Sequence, residues 1–407
     1  MKIKSLSFYN LLRPILLFAL LLFVSCGSNE NLPVEPQNFS RGEIVSASSL
    51  GSYKAEFIKS SLSAYEINID VKYSVNVFKI VYKTIDAKGS VVTASGALFV
   101  PVGKDNLSLM SLQHGTQTKR TKVGSANVQE AFEGFISAGL GYYTLVPDYL
   151  GLGESQTLHP YHIAKLSAET VIDFIRACRK EAEKQSIKLN GQVFLAGYSE
   201  GGYVTMAAHR EIQKNYSGEI NVTASAPMAG AYDLYATAKT ILKNKNYDMP
   251  SFLAFLILSY NDYYGWNKLS TFFNSPYAEK IPPLFDGSKT TDEINAVLTT
   301  DLTKLFKQDF IDSFENGTET TLTNAFKENG LIDWAPAVPV KLFHGDADQF
   351  VPYQNSVDAY NYFKSRGADV DLITIAGGNH YTSALPSIVA AVQWFETIRL
   401  KKSFALK

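Results

Sequence analysis

Cysteine is scarce: the 407 residues hold two, Cys26 and Cys178. Cys178 falls on the buried face of a predicted helix and Cys26 has another use, so no disulfide is expected. An excess of either charge is also missing. Lys and Arg total 38 and Asp and Glu total 39, which gives a formal net charge of -1 and a pI of about 6.6. No basic stripe provides the electrostatic footprint of a nucleic-acid binder, so no nucleic-acid partner is expected. The N-terminal apolar run, residues 14–24, is too short for a comfortable membrane span. Histidine pairs with metal-ligand spacing are lacking too. His159 and His162 are separated by Pro160, which rules out helical spacing, and no metal is expected.

What is present is a large apolar content, 46% of the chain, enough for one major domain with an insertion. Aromatic residues make up 13%, with 23 Tyr and 25 Phe, which suits an apolar ligand surface. Lys2, Lys4 and Arg13 precede the apolar run, which ends at Ser25-Cys26-Gly27-Ser28, so residues 1–25 read as a signal peptide. Residues 26–41 are polar with Pro33 and Pro36 and read as a tether.

Residues 42–61 are amphipathic and predict a short helix. Residues 65–100 alternate in hydrophobicity about the turn Asp86-Ala87-Lys88-Gly89, the pattern of an antiparallel hairpin. A buried strand over 107–112, a helix over 128–138 and a strand over 142–146 follow. Next come a helix over 167–184, a strand ending at Tyr198, a helix over 202–212 and a strand over 220–227. This alternation predicts an α/β fold with a mostly parallel, doubly wound sheet. It resumes with strands at 340–343 and 370–375 and helices at 354–364 and 383–400. The core therefore divides into 42–231 and 336–407. Residues 232–335 between them read as a helical cap that sits over the carboxyl ends of the strands, where ligands bind in such sheets.

The chemistry centres on Gly197-Tyr198-Ser199-Glu200-Gly201-Gly202, a Gly-x-Ser-x-Gly turn between a predicted strand and a predicted helix. The tight turn strains the serine backbone and demands small neighbours, and it pushes the hydroxyl out at the end of the sheet. A serine hydroxyl needs a base, and the base needs a carboxylate behind it. His380 follows Gly377-Gly378-Asn379 after the last predicted strand, where a loop reaches back over the turn. His209 reads as structural, and His114 and His344 as braces at strand ends. For the acid, Asp348 and Asp346 compete in the 342–352 segment. Asp348, in His-Gly-x-x-Asp-x-x-Val-Pro, is favoured, with Asp346 orienting the loop. The order Ser199, Asp348, His380 predicts a serine hydrolase triad. The expected oxyanion donors are the backbone N–H of Glu200 and one from the loop after Leu112, at Thr116. The Glu200 side chain has no role legible in the sequence.

These motifs resemble the α/β-hydrolase superfamily over about residues 70–400. Within it the chain resembles the secretory-lipase-type esterases, through Gln113-His114-Gly115-Thr116, the 147–155 run, His159-Pro160-Tyr161, the serine turn, the long cap and the Asp348 and His380 loops. The resemblance implies hydrolysis of carboxylic esters with an apolar acyl part, and no metal or organic cofactor. Ser25-Cys26-Gly27-Ser28 resembles a bacterial lipoprotein signal. That implies cleavage before Cys26, lipidation of it, and a membrane-anchored place in the cell envelope facing the periplasm or the exterior. Two other readings share the sequence. A serine exopeptidase would use the same triad but needs an acidic clamp for the amine, with Asp262, Asp292 and Glu293 available. A lipid-anchored binding protein would have let one triad member drift.

Overall fold

The computed structural model describes residues 40–405. The signal peptide, the lipidation site at Cys26 and nearly all of the tether lie outside the described residues. The strands form one nine-stranded sheet in the order β1-β2-β3-β5-β4-β6-β7-β8-β9. β1 (Ile44–Tyr53), β2 (Val75–Ile85), β3 (Val91–Pro101) and β5 (Tyr142–Pro147) pair antiparallel in turn. From β5 onward the sheet is parallel, through β4 (Leu107–Gln113), β6 (Leu189–Tyr198), β7 (Val222–Met228), β8 (Val340–Gly345) and β9 (Val370–Ile375). The predicted hairpin and the predicted mostly parallel sheet are both there, and the fold is that of an α/β-hydrolase.

The central strands are buried on both faces, and their side chains alternate between two cores. Leu109, Tyr143, Leu145 and Leu195 face α3 (Ala164–Lys184) and α4 (Glu200–Glu211). Met110, Tyr142, Val146 and Phe194 face the opposite core, which holds α1 (Ala55–Ala64), α2 (Gly134–Gly139) and α14 (Ala384–Ala405). This period of two explains why the strands read as continuous apolar runs: each face of the sheet is covered by helices. Cys178 lies fully buried in α3.

The reading of 42–61 as one helix is corrected: its first half is β1. Two register shifts, at Ile44/Ser46 and Ser49/Gly51, break the alternation of this edge strand. Its core-facing residues Ile44, Ala47, Leu50 and Tyr53 therefore recur every three positions and imitate a helical face. The helix expected over 128–138 is shorter than predicted. A single 3-10 turn, Val128–Ala131, precedes α2. Gly134 opens α2 because the Phe99 ring fills the space a Cβ would need.

Between β7 and β8 the chain is helical among the described residues: α5 (Leu234–Lys243), α6 (Pro250–Tyr263) and six further helices, α7–α12, between Leu269 and Glu328. This run is tied to the core near its middle. Arg120 N–H donates to Gly287 O at 2.8 Å and Thr118 Oγ1 donates to Lys289 O at 2.9 Å. α13 (Gln354–Ser365) then joins β8 to β9.

Candidate active site

Ser199 stands between β6 and α4 with φ 62° and ψ -122°, a strained conformation for a residue with a side chain. The strain persists because the turn is fixed from several sides. Ser199 N–H donates to Met228 O at 2.9 Å, and Gly202 N–H donates back to Ser199 O at 2.9 Å. A Cβ at Gly197 or Gly201 would strike the backbone of Gln113 at the end of β4, so the turn can pass only as glycine.

The structure brings Ser199, His380 and Asp348 together. His380 Nε2 lies 2.8 Å from Ser199 Oγ, and His380 Nδ1 lies 2.6 Å from Asp348 Oδ2. The carboxylate accepts a hydrogen bond from the N–H at Nδ1, which leaves Nε2 as the acceptor for the serine hydroxyl. Tyr198 Oη donates to His380 O at 2.7 Å and so pins the histidine loop to the serine strand.

The Asp348 side chain is buried and completely engaged. Its Oδ1 accepts from the N–H groups of Phe350 and Val351 at 2.9 and 3.0 Å, and its Oδ2 also accepts from His344 Nε2 at 3.1 Å. Burial pushes this carboxyl up, but hydrogen bonds from His344 and His380 outweigh burial and hold it well below the usual carboxylate range. His344 Nε2 also faces Val351 O at 3.0 Å, so it carries the proton, and Nδ1 accepts from Ser356 Oγ at 2.7 Å. His344 thus braces the acid itself, more than a loop. Asp346 stands apart: its Oδ1 accepts from Gly377 N–H at 2.6 Å and ties the two loops together.

Glu200 opens α4, where helix geometry leaves its N–H without an intrahelical carbonyl. Thr116 follows Gly115, whose Cα faces the nucleophile; a Cβ there would lie 3.8 Å from Ser199 Cβ. Thr116 Oγ1 lies 2.8 Å from Tyr161 Oη. The loop after β4 thus faces Ser199 at Gly115, and the Tyr161 hydroxyl meets the side chain of its neighbour Thr116.

Sequence reasoning missed the partner of the Glu200 side chain. Glu200 Oε1 lies 2.6 Å from His159 Nε2, and His159 Nδ1 donates to Leu150 O at 2.7 Å. Burial pushes the Glu200 carboxyl up, but the charge and hydrogen bond of His159 outweigh it, so the group is held low and ionised. The pair has no net charge wherever the shared proton sits. His-Pro-Tyr-His was legible as an unusual motif, but nothing in the sequence aims it at a residue 41 positions later. Replacing His159 with leucine strands a buried carboxylate, so we expect a loss of about 3–5 kcal/mol in unfolding free energy. Adding Glu200→Gln to that variant should restore part of it. Urea denaturation of the single and double variants checks this, and equal stability of His159→Leu and the native chain would contradict it.

The remaining histidines sit elsewhere. His209 is buried against Ser225 and Trp334, and burial pushes it down to about 3. His114 spans Gly115 O and Asp148 O and stacks on Tyr149. Burial pushes His162 down to about 4, against the raising influence of Glu200, so it is neutral at pH 7. Among the described residues no group of three or more His, Cys, Asp or Glu side chains could hold a metal ion.

Ser199 opens onto a cavity under α5 and α6 of about 50 Å³, with Leu234, Ile241, Phe252, Leu253, Leu256 and Val351 among its walls. Sites for drug-sized ligands are typically about 300–1,000 Å³, so this one has room only for a small group.

Residues 129–406 match the family described as secretory lipase. Lipase 5 of Candida albicans is 26% identical over 276 residues, which cover 62% of this chain and 54% of the relative. Lipase 9 of the same organism is 24% identical over 272 residues, 62% of this chain and 55% of the relative. The chain spans about half the length of the curated relatives it matches. Among solved structures, one from Legionella pneumophila has a TM-score of 0.83 at 28% identity and covers 88% of this chain and 98% of its own. The rice cell wall degrading esterase LipA from Xanthomonas oryzae has a TM-score of 0.80 at 28% identity, with the same coverage.

Proposed function

The chain belongs to the secretory lipase family, and from that premise we propose that it hydrolyses carboxylic esters of short-chain acids through an acyl-enzyme on Ser199. The observation that carries this reading is the unbroken line Ser199 Oγ, His380 Nε2, His380 Nδ1, Asp348 Oδ2, with gaps of 2.8 and 2.6 Å across its two contacts.

In this mechanism Ser199 Oγ attacks the ester carbonyl carbon as its proton passes to His380 Nε2. Asp348 holds the imidazole in the required tautomer and stabilises the imidazolium. The carbonyl oxygen becomes an oxyanion, met by the backbone N–H groups of Glu200 and Thr116. Each such donor is worth about 3–4 kcal/mol in the transition state. The tetrahedral species collapses, the C–O bond to the alcohol breaks, and His380 returns its proton to the leaving oxygen. Water repeats the sequence on the acyl-enzyme and releases the acid.

The small cavity supports a short acyl group over a long one. Across nitrophenyl esters from acetyl to palmitoyl, kcat/KM should peak at two to four carbons. It should fall by about tenfold or more by octanoyl, since extra methylenes forced against a filled apolar wall cost about 1–3 kcal/mol. A peak at octanoyl or beyond would sink the short-chain assignment.

A further inference from the structure

His159-Pro160-Tyr161 takes no part in making or breaking bonds, yet it touches both sides of the nucleophile. The residue after Ser199 is Glu200, and its side chain meets His159 Nε2 at 2.6 Å. The loop after β4 packs on Ser199 at Gly115, and the side chain of the next residue, Thr116, meets Tyr161 Oη at 2.8 Å. Glu200 and Thr116 are the residues whose N–H groups are proposed to meet the oxyanion. Two side chains flanking one proline thus reach one of them each.

The loop that carries them is itself held from several sides. Pro160 fixes its own φ and restricts the backbone of His159. His159 Nδ1 donates to Leu150 O at 2.7 Å, and its ring stacks on Tyr149 with 11° between the planes. Tyr149 Oη donates in turn to His114 O at 3.0 Å, two residues before Thr116. Tyr161 lies flat on Phe255 of α6, with ring centroids 4.8 Å apart. The carbonyl of His162 accepts from Tyr203 Oη of α4 and Tyr260 Oη of α6, both at 2.9 Å. The strand ends, the helix behind the nucleophile and the cap therefore all fix this loop. A buried tyrosine hydroxyl needs some partner, and Tyr143 Oη finds one in Cys178 O at 2.8 Å. Tyr161 instead takes a side chain beside the nucleophile.

We propose that His159 and Tyr161 are positioning residues: the 159–161 loop is a clamp that sets the spacing of the two oxyanion donors, His159 acting through Glu200 and Tyr161 through Thr116. This rests on the ester-hydrolase reading and deepens it. A donor works only where the negative charge develops, and a catalytic group must be held within about 0.5 Å of its productive place. Donors on two separate segments need a common reference, and the loop supplies one. Such a clamp serves the transition state and not the bound ester, so its loss shows in kcat and not in KM.

The test uses the full chain and four variants: Tyr161→Phe, Thr116→Val, those two together, and His159→Leu combined with Glu200→Gln. Each is assayed on nitrophenyl butyrate and by inhibition with propylboronic acid, which forms a tetrahedral adduct on a serine. Tyr161→Phe should lower kcat by about ten- to a hundredfold, within what a small misplacement costs, with KM inside about threefold of native. Its Ki for the boronic acid should rise by about the factor by which kcat falls, since both report the tetrahedral state. The His159 and Glu200 variant should raise Ki likewise. A smaller amount of native protein lowers the rate but leaves Ki alone, so a purely structural role would not move it. Tyr143→Phe, which removes a similar hydroxyl from the α3 core, is expected to leave Ki unchanged. The Tyr161 and Thr116 double variant should be no worse than the poorer single one, because both break the same bond. Losses that multiply overturn the clamp. So does an unchanged Ki in Tyr161→Phe or in the His159 and Glu200 variant, or an equal rise in Tyr143→Phe, and each leaves catalysis by Ser199 standing. If the native chain cleaves no ester, the hydrolase reading falls and the clamp falls with it.

Discussion

Ser199→Ala is expected to lower kcat on a short nitrophenyl ester by about five to six orders of magnitude, the scale seen when the nucleophile of a serine triad is removed. What remains would come from binding and from the proposed oxyanion donors, the N–H groups of Glu200 and Thr116, acting on an oxyanion formed by water attack. The fold should be indifferent. The turn is held by Ser199 N–H on Met228 O and by glycine packing on Gln113, and neither uses the hydroxyl. Alanine adopts the positive φ no worse than serine does. Thermal unfolding within a few degrees of the native chain, together with the kinetic loss, separates a chemical from a structural effect.

Asp348→Asn should cost about 10⁴-fold in kcat, the size of the tautomer penalty in a serine triad. The asparagine amide presents an N–H toward His380 Nδ1, the imidazole proton moves to Nε2, and Nε2 can no longer accept from Ser199. Asp346→Asn is the control. Asp346 meets the backbone N–H of Gly377, which an amide oxygen can still satisfy, so a loss under about tenfold is expected. Kinetics of the two variants decide between the two carboxylates that compete in the sequence. Equal losses would mean the loop, and not the acid, is what matters.

The fold was legible wherever periodicity and glycine punctuation agreed. The central strands read as apolar runs because both faces are covered, and the turn at Ser199 announced itself through small residues that β4 requires. β1 was misread because its two register shifts space Ile44, Ala47, Leu50 and Tyr53 like a helical stripe. Ser199, His380 and Asp348 were legible because each lies at the end of a strand, and strand order dictates where those ends converge. The pairing of Glu200 with His159 was hidden because it joins the start of α4 to a loop 41 residues upstream, a contact with no local pattern. The same is true of Tyr161 on Thr116. Such contacts arise from how loops and cap fold over the sheet, and local periodicity does not encode that.

The most direct measurement is peptide mapping by mass spectrometry after a fluorophosphonate probe has reacted with the native chain. This geometry predicts one adduct, on Ser199, whose formation depends on His380 as the base. Labelling of a different serine, or no labelling of the folded chain, would contradict a nucleophile at Ser199.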